Sequence, residues 1–422
     1  MRDPMQTFNR RANLAAKRIL MLAWEYPPHI VGGLARVVCA VSKELVEQGL
    51  EVHVITSNAV DNAALSDLPE HQIDEYGVHV HRVKTQTDML GRDWSTPNFI
   101  TWAARLNFGI LQYALALHAE APFDVVHAHD WLVADAAWVL KSMGIPVVAS
   151  IHATEYGRNN GIHNEDSRYI DQVEWRLIYE AKSVIVNSNH MLSELVDHFR
   201  APAQKIAIIP NGIEPDRLLS TVDTDVDTAT VRDRLRADFG LDGPMMLFVG
   251  RLVHEKGVQV LLDAAREVLE RHPQATFVLA GEGYYRAELA AIATANGISD
   301  RVRFFGRAND DDLRRLYLMA DVLVVPSLYE PFGIVALEGM ATGTPIVTSD
   351  SGGLMDIVEH EVDGITTFAG KSDSLAWGIL KVLDDPALAD RLQKAAREKV
   401  VAKYSWASIA DQTRQLYDAA VA

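Results

Sequence analysis

Thirteen short apolar runs alternate with helical patterns along this 422-residue chain, and that alternation limits the fold more than any other feature. The runs lie at 18–23, 51–55, 78–83, 124–127, 146–151, 183–186 and 205–209, and again at 245–249, 276–279, 302–305, 322–325, 345–348 and 364–367. Helical patterns fall between most of them, among them 34–48, 258–271, 284–296 and 311–319, and the chain ends in three more at 372–383, 387–401 and 406–420. Short apolar strands flanked by helices predict a parallel sheet covered on both faces. Residues 221–230 interrupt the series with an acidic, polar stretch that reads as a surface loop near a domain boundary. The expectation is therefore α/β: two successive doubly wound, Rossmann-like domains and not one (β/α)₈ barrel. The expected division is a loose tail over 1–16, a first domain over 17–218, a second over 219–400 and a final helical segment over 401–422. In open α/β sheets ligands sit beyond the carboxyl ends of the strands. Two such domains facing each other would make a cleft lined by the loops that follow the strands.

Composition removes some partners. A net charge of −17 argues against nucleic acid or an anionic membrane surface, but not against a small anion met by a local positive patch. The one cysteine, Cys39, rules out an internal disulfide, fits a reducing, cytoplasmic compartment, and reads as a small buried residue. The run 97–120 carries Asn98, Arg105, Asn107 and Gln112, which predicts a packed core helix and not a membrane span.

The loops carry the chemistry. Glu330 and Glu338 flank Pro331-Phe332-Gly333-Ile334-Val335 after the run at 322–325. Pro331 suits the first turn of a helix, leaving the amides of Phe332 to Val335 open at a positive helix end that can bind phosphate. Glu330 would then lie in the loop and Glu338 about two turns in. Arg251 and Lys256 stand five residues apart in Gly250-Arg-Leu-Val-His-Glu-Lys-Gly257, after the first strand of the second half, and can close on a diphosphate. The alternative there is a solvated pair of cations. Gly32-Gly33 opens the first helix, where a phosphate could approach the backbone. Gly281-Glu-Gly283 follows a strand and by itself says little. His127 and His129, in His127-Ala-His-Asp-Trp131, point to one face, yet no third ligand of matching spacing accompanies them, so no metal site is assigned. His129 and Asp130 suit acceptor contacts, and His152, at a strand's carboxyl end, suits a ligand-facing role. Paired carboxylates also serve glycosidases. Hydrolysis, however, needs no phosphate-binding cations next door. One ligand answers all of these features: a sugar joined to a nucleoside diphosphate.

These segments resemble the retaining glycosyltransferases of family 4 and the related glycogen and starch synthases. The resemblance rests on Glu330-x₇-Glu338 with Pro331-Phe332-Gly333, on Gly250-Arg251…Lys256-Gly257 and on Gly281-Glu282-Gly283, and runs from about Arg18 to the last helix. It implies the two-domain GT-B fold, with the last helix crossing back onto the first domain. It implies that Arg251 and Lys256 hold the diphosphate and that Glu338 binds the ribose. Glu330 and the backbone of Phe332, Gly333, Ile334 and Val335 would hold donor sugar and phosphate, with Gly281 and Gly33 lining the donor. His152 would lie beside the reacting sugar, and His129, Asp130 and Glu155 would meet a carbohydrate acceptor. The implied reaction is retaining transfer of a hexose, glucose by this reading, from UDP-glucose or ADP-glucose, with no metal or other cofactor. The synthases carry Lys-x-Gly-Gly-Leu where this chain has Ile30-Val-Gly-Gly-Leu34, so one phosphate contact is absent. A lipid- or envelope-directed transferase, a nucleotide-sugar epimerase and a non-catalytic sugar-nucleotide binder stand as alternatives.

Overall fold

A computed structural model describes residues 16–58, 67–84, 96–215, 218 and 228–422. The tail expected over 1–16, apart from Ala16, and most of the polar loop expected over 221–230 lie outside the described residues, and Thr228–Asp238 is helical. The chain packs as two compact units: residues up to Pro210 together with Trp406–Ala422, and Asn211–Ser405.

In the first unit, eight strands form one sheet: β1 (Arg18–Leu22), β2 (Glu51–Ser57), β3 (His71–Ile73), β4 (His79–Val83), β5 (Val125–His129), β6 (Val147–Ile151), β7 (Ser183–Val186) and β8 (Ile206–Ile208). Their order is β3-β4-β2-β1-β5-β6-β7-β8, and every pairing is parallel except the antiparallel β3–β4 pair. β3 was not among the expected strands. It is three residues long, partly exposed and polar at both His71 and Gln72, so it has no apolar signature to read.

The second unit holds β9 (Met245–Val249), β10 (Thr276–Ala280), β11 (Val302–Gly306), β12 (Val322–Val325), β13 (Ile346–Ser349) and β14 (Ile365–Thr367), all parallel, in the order β11-β10-β9-β12-β13-β14. That is the doubly wound order, with its reversal point between β9 and β12. The same reversal falls between β1 and β5 in the first unit. The chain runs outward from each reversal point in both directions, so the loops after these central strands leave a crevice at their carboxyl ends.

Fully buried strands explain the continuous apolar runs. Met245, Met246, Leu247, Val322, Leu323 and Val324 are all 0% exposed. The helix Val258–Arg271 buries Val258, Leu261, Leu262, Ala265 and Val268 on one stripe. Each such fully buried Leu or Val contributes about 1.5–3 kcal/mol.

The last helix, Trp406–Val421, belongs to the first unit. It buries Trp406, Ile409, Ala410, Thr413, Tyr417 and Ala420, at helical spacing. Three polar ties bind it within the same unit: Asp418 accepts from the Ala16 amide at 2.9 Å, Arg414 donates to the Gln48 carbonyl, and Lys182 donates to the Ala420 carbonyl at 2.7 Å. Cys39 is half-buried, less enclosed than expected. Among the described residues no helix is long and apolar enough to cross a membrane.

Candidate functional site

The loops flanking the second unit's reversal point contain most of the residues singled out from sequence. After β9 the chain passes Gly250 and Arg251, makes a short 3-10 turn at His254–Lys256 and enters the helix at Val258 through Gly257. Gly257 has φ 70° and ψ 17°, and a Cβ there would lie 1.9 Å from the Pro326 carbonyl oxygen. Only glycine lets the loop after β9 press on the loop after β12 this closely. The Leu328 amide completes the junction, donating to the Glu255 carbonyl at 2.8 Å. Gly281 joins the same group of loops: the Gly250 amide donates to the Ala280 carbonyl at 3.0 Å, and the Leu252 amide to the Glu282 carbonyl at 2.9 Å.

Lys256 Nζ lies 2.7 Å from Glu330 Oε2, and Ser327 Oγ donates to the same oxygen at 3.1 Å. The Glu330 carbonyl accepts from the Gly353 amide at 2.8 Å, so both ends of this residue are held. Arg251 differs. Its side chain is 57% exposed and its nearest carboxylate, on Glu255, is 3.6 Å away. A guanidinium so loosely held can swing onto an incoming anion, whereas Lys256 would have to share itself between Glu330 and the anion.

The helix expected to start at Pro331 starts three residues later. It spans Ile334–Thr342, with Gly333 as its N-cap at φ 112° and ψ 50°. Pro331 stands in the loop before the cap, because the chain turns at the left-handed Gly333 and not at the proline. Glu338 is accordingly one turn into the helix and not two. The amides of Ala336 and Leu337 turn back to the Gly333 carbonyl, at 2.9 and 3.4 Å. Those of Ile334 and Val335 have no acceptor within the helix, as at any helix start. Phe332 is a core side chain, 4% exposed, so only its backbone is available to a ligand. Glu338 is buried and accepts from the Tyr317 hydroxyl at 2.8 Å. Tyr317, on the helix Asp310–Met319, carried no sequence signal beyond its place among apolar residues.

The first unit holds a second group. Gly32 caps the helix Gly33–Glu47 without a side chain of its own, and Glu25 supplies the acceptor instead. Its carboxylate receives the amides of Val31 at 2.5 Å, Gly32 at 3.0 Å and Ala35 at 3.3 Å. Glu25 is 1% exposed, and burial pushes its pKa up against those hydrogen bonds. The helix end at Gly33 is thus already capped by a protein carboxyl group. A carboxylate in the loop seven residues before a glycine pair was the available sign of this cap.

At the ends of β5 and β6, His129 Nδ1 lies 3.1 Å from His152 Nε2, with the rings stacked. His127 is enclosed between the Tyr417 hydroxyl, 2.6 Å from Nδ1, and Ser150 Oγ, 2.7 Å from Nε2. Burial lowers the pKa of all three, to about 3 for His127 and well below the ordinary value for His129. All three are therefore neutral imidazoles at pH 7. Asp130 adopts φ 61°, uncommon for a residue with a Cβ, and its carboxylate accepts the His152 amide at 2.8 Å. Glu155 begins the short helix Glu155–Asn159, and its amide donates to both carboxylate oxygens of Glu174 at 3.0 Å. Glu174 is itself 1% exposed, with its pKa raised well above normal by burial. One glutamate among several on an amphipathic helix gave no hint of that task. His129, Asp130, His152 and Glu155 thus lie together in the first unit, with Gly33 at the start of a separate helix there, and the remaining assigned residues lie in the second. Among the described residues no group of three or more His, Cys, Asp or Glu side chains is arranged to hold a metal.

Comparison with known proteins bears on what these two groups do. Residues 31–217 match the family described as Glycosyltransferase Family 4, and residues 231–399 match Glycosyl transferases group 1. An uncharacterized glycosyltransferase of Methanocaldococcus jannaschii is 40% identical over 408 residues, covering 96% of this chain and 98% of that protein. The glycogen synthase of Mycobacterium tuberculosis is 36% identical, covering 96% of this chain and 95% of its own length. Among solved structures, the sucrose-phosphate synthase of Thermosynechococcus elongatus superposes with a TM-score of 0.79 at 26% identity, over 95% of this chain and 98% of that one.

Proposed function

Because the chain belongs to the family 4 glycosyltransferases, with a GT-B fold, we propose that it moves a glucosyl group from a nucleoside-diphosphate glucose to the hydroxyl of a sugar or α-glucan, with retention at the anomeric carbon. The observation that carries this reading is the second unit's reversal point. There Lys256, Glu330 and the helix start at Ile334 and Val335 converge from loops whose backbones touch. Cations and open amides suit a diphosphate, and a carboxylate suits the hydroxyls of the attached sugar. The glycogen synthase relative supports an α-glucan acceptor.

In this reading Arg251 and Lys256 stabilise the negative charge that develops on the leaving diphosphate, the work a divalent metal does in other transferases. Glu338, held by Tyr317, binds the ribose. Glu330 orients the hexose. The acceptor hydroxyl attacks from the face the diphosphate leaves, and its proton passes to a departing phosphate oxygen, so neither glutamate forms a bond to the sugar. His152, neutral and positioned by Asp130 and His129, contacts the reacting hexose, while Glu155 takes part in holding the acceptor. Catalysis then rests on positioning and preorganised charge.

The test is direct. The protein is incubated with UDP-glucose or ADP-glucose in the presence of EDTA, with and without maltotriose. Nucleoside diphosphate release and the configuration of the new linkage are followed by NMR. An α-linked product from one donor with EDTA present is the expected result. No turnover of either donor, or turnover only after a divalent metal is added, overturns the reading.

A further inference from the structure

Away from the groups above, a cavity of about 420 Å³ opens on the first unit, lined by Tyr156, His190, Ser193, Glu194, Asp197 and His198. Its volume is within the range of small-molecule sites and holds more than one hexose ring. One wall is aromatic and braced: the Tyr156 ring stacks on His198 at 4.0 Å, and His198 Nε2 is held 2.6 Å from Asp171 Oδ1. The other wall is the helix Asn189–Asp197, whose His190, Glu194 and Asp197 share one face while Met191 and Leu195 enter the core from the opposite face. Glu194 also accepts the hydroxyl of Thr154, two residues beyond His152. The cavity is therefore tied to the segment assigned to the acceptor.

Its chemistry selects the occupant. Carboxylates on Glu194 and Asp197, with Asp171 behind His198, repel phosphates and nucleic acids. Among the described residues none of these side chains joins a set able to hold a metal. What remains suited is a neutral polyol: carboxylate oxygens accept from adjacent hydroxyls, Ser193 donates or accepts, and the aromatic wall covers the apolar face of a pyranose ring. We propose that this cavity binds a glucosyl unit of the acceptor, as an outer subsite that raises affinity for oligosaccharides. Its part in turnover rests on the glycosyltransferase reading, whereas the binding itself does not.

The experiment is calorimetry of the full chain with maltotriose and no donor, on the wild type, Tyr156→Ala and Asp197→Asn, with donor hydrolysis measured in parallel. Each variant is expected to bind maltotriose at least tenfold more weakly, to raise the acceptor KM by a similar factor, and to leave kcat and acceptor-free donor hydrolysis unchanged. The two positions are on different helices and both are exposed, so if circular dichroism shows one variant misfolded, the other decides. No maltotriose binding at millimolar concentration, wild-type affinity in the folded variants, or Asp197-dependent binding of the diamine putrescine in its place overturns the proposal. Maltotriose binding that depends on Tyr156 and Asp197 in a protein that hydrolyses neither donor upholds the cavity and removes the transferase reading.

Discussion

Lys256 Nζ lies 2.7 Å from Glu330 Oε2, a cation and an anion 74 residues apart in the chain that neutralise each other beside an open helix start. The side chains are only 21% and 11% exposed, so removing either partner strands the other in a poorly hydrated place. A bound diphosphate would compete with Glu330 for the ammonium, which ties donor binding to the position of the carboxylate.

Lys256→Ala is therefore expected to do two things. It weakens UDP or ADP binding at least tenfold, about 1.4 kcal/mol, and it destabilises the fold by about 2 kcal/mol through the uncompensated carboxylate. Adding Glu330→Gln should restore stability but not affinity. Urea denaturation and calorimetry separate the two effects, and wild-type nucleotide affinity in Lys256→Ala would contradict the assignment.

Tyr317→Phe removes the hydroxyl that donates to buried Glu338. A buried acceptor losing its donor costs about 1–3 kcal/mol. The urea midpoint should fall by a matching amount, and nucleoside diphosphate affinity should drop while affinity for inorganic pyrophosphate stays unchanged. Equal loss for both ligands would remove Glu338 from the ribose.

His152→Ala should lower kcat about a hundredfold or more with little change in donor affinity, because the side chain is assigned to the reacting sugar and not to the nucleotide. Steady-state kinetics beside calorimetry gives the split. A loss confined to donor affinity would place His152 in binding instead.

Stability should fall as pH drops below about 6.5. An imidazole free in the unfolded chain titrates near 6.5, whereas His127 is held to about 3 by burial. Above 6.5 both states are neutral and nothing is lost. Between the two values the unfolded state binds a proton that the folded state refuses, which costs about 1.4 kcal/mol per pH unit for each such group. His129 and His152 act in the same direction. Glu25 and Glu174, whose pKa values are raised, act oppositely, gaining stability as pH falls through their folded values toward the unfolded one. Urea midpoints from pH 8 to 5 should decline, and His127→Asn should flatten the decline. A His127→Asn variant with the same pH slope as the wild type would contradict the buried neutral state.

Gly257→Ala should cost more than Gly297→Ala. Both glycines have positive φ, 70° and 69°, but a Cβ at Gly257 meets the Pro326 carbonyl at 1.9 Å while one at Gly297 meets nothing within 4 Å. The control should lose about 1 kcal/mol from backbone strain alone. The site variant should lose more and also bind nucleotide less well. Equal thermal shifts would mean that the loop gives way without consequence.

Local chemistry made much of this protein readable from its residues. Apolar runs and helical stripes located thirteen of the fourteen described strands, because buried parallel strands must be continuously apolar. Glycines, cations and carboxylates singled out from the sequence lie in the loops that follow these strands, where an open sheet leaves room. Misreadings arose where a local rule had competitors. Pro331 is a good helix starter, yet Gly333 takes the cap because its left-handed backbone turns the chain there. Tertiary structure alone decided which groups meet: Lys256 with Glu330, Tyr317 with Glu338, Glu174 with the Glu155 amide, and Tyr417 with His127 across 290 residues. Each joins groups well apart in the chain, so no spacing announces it. Burial sets its consequence, since a charge or hydroxyl removed from water must find whichever partner the fold brings near.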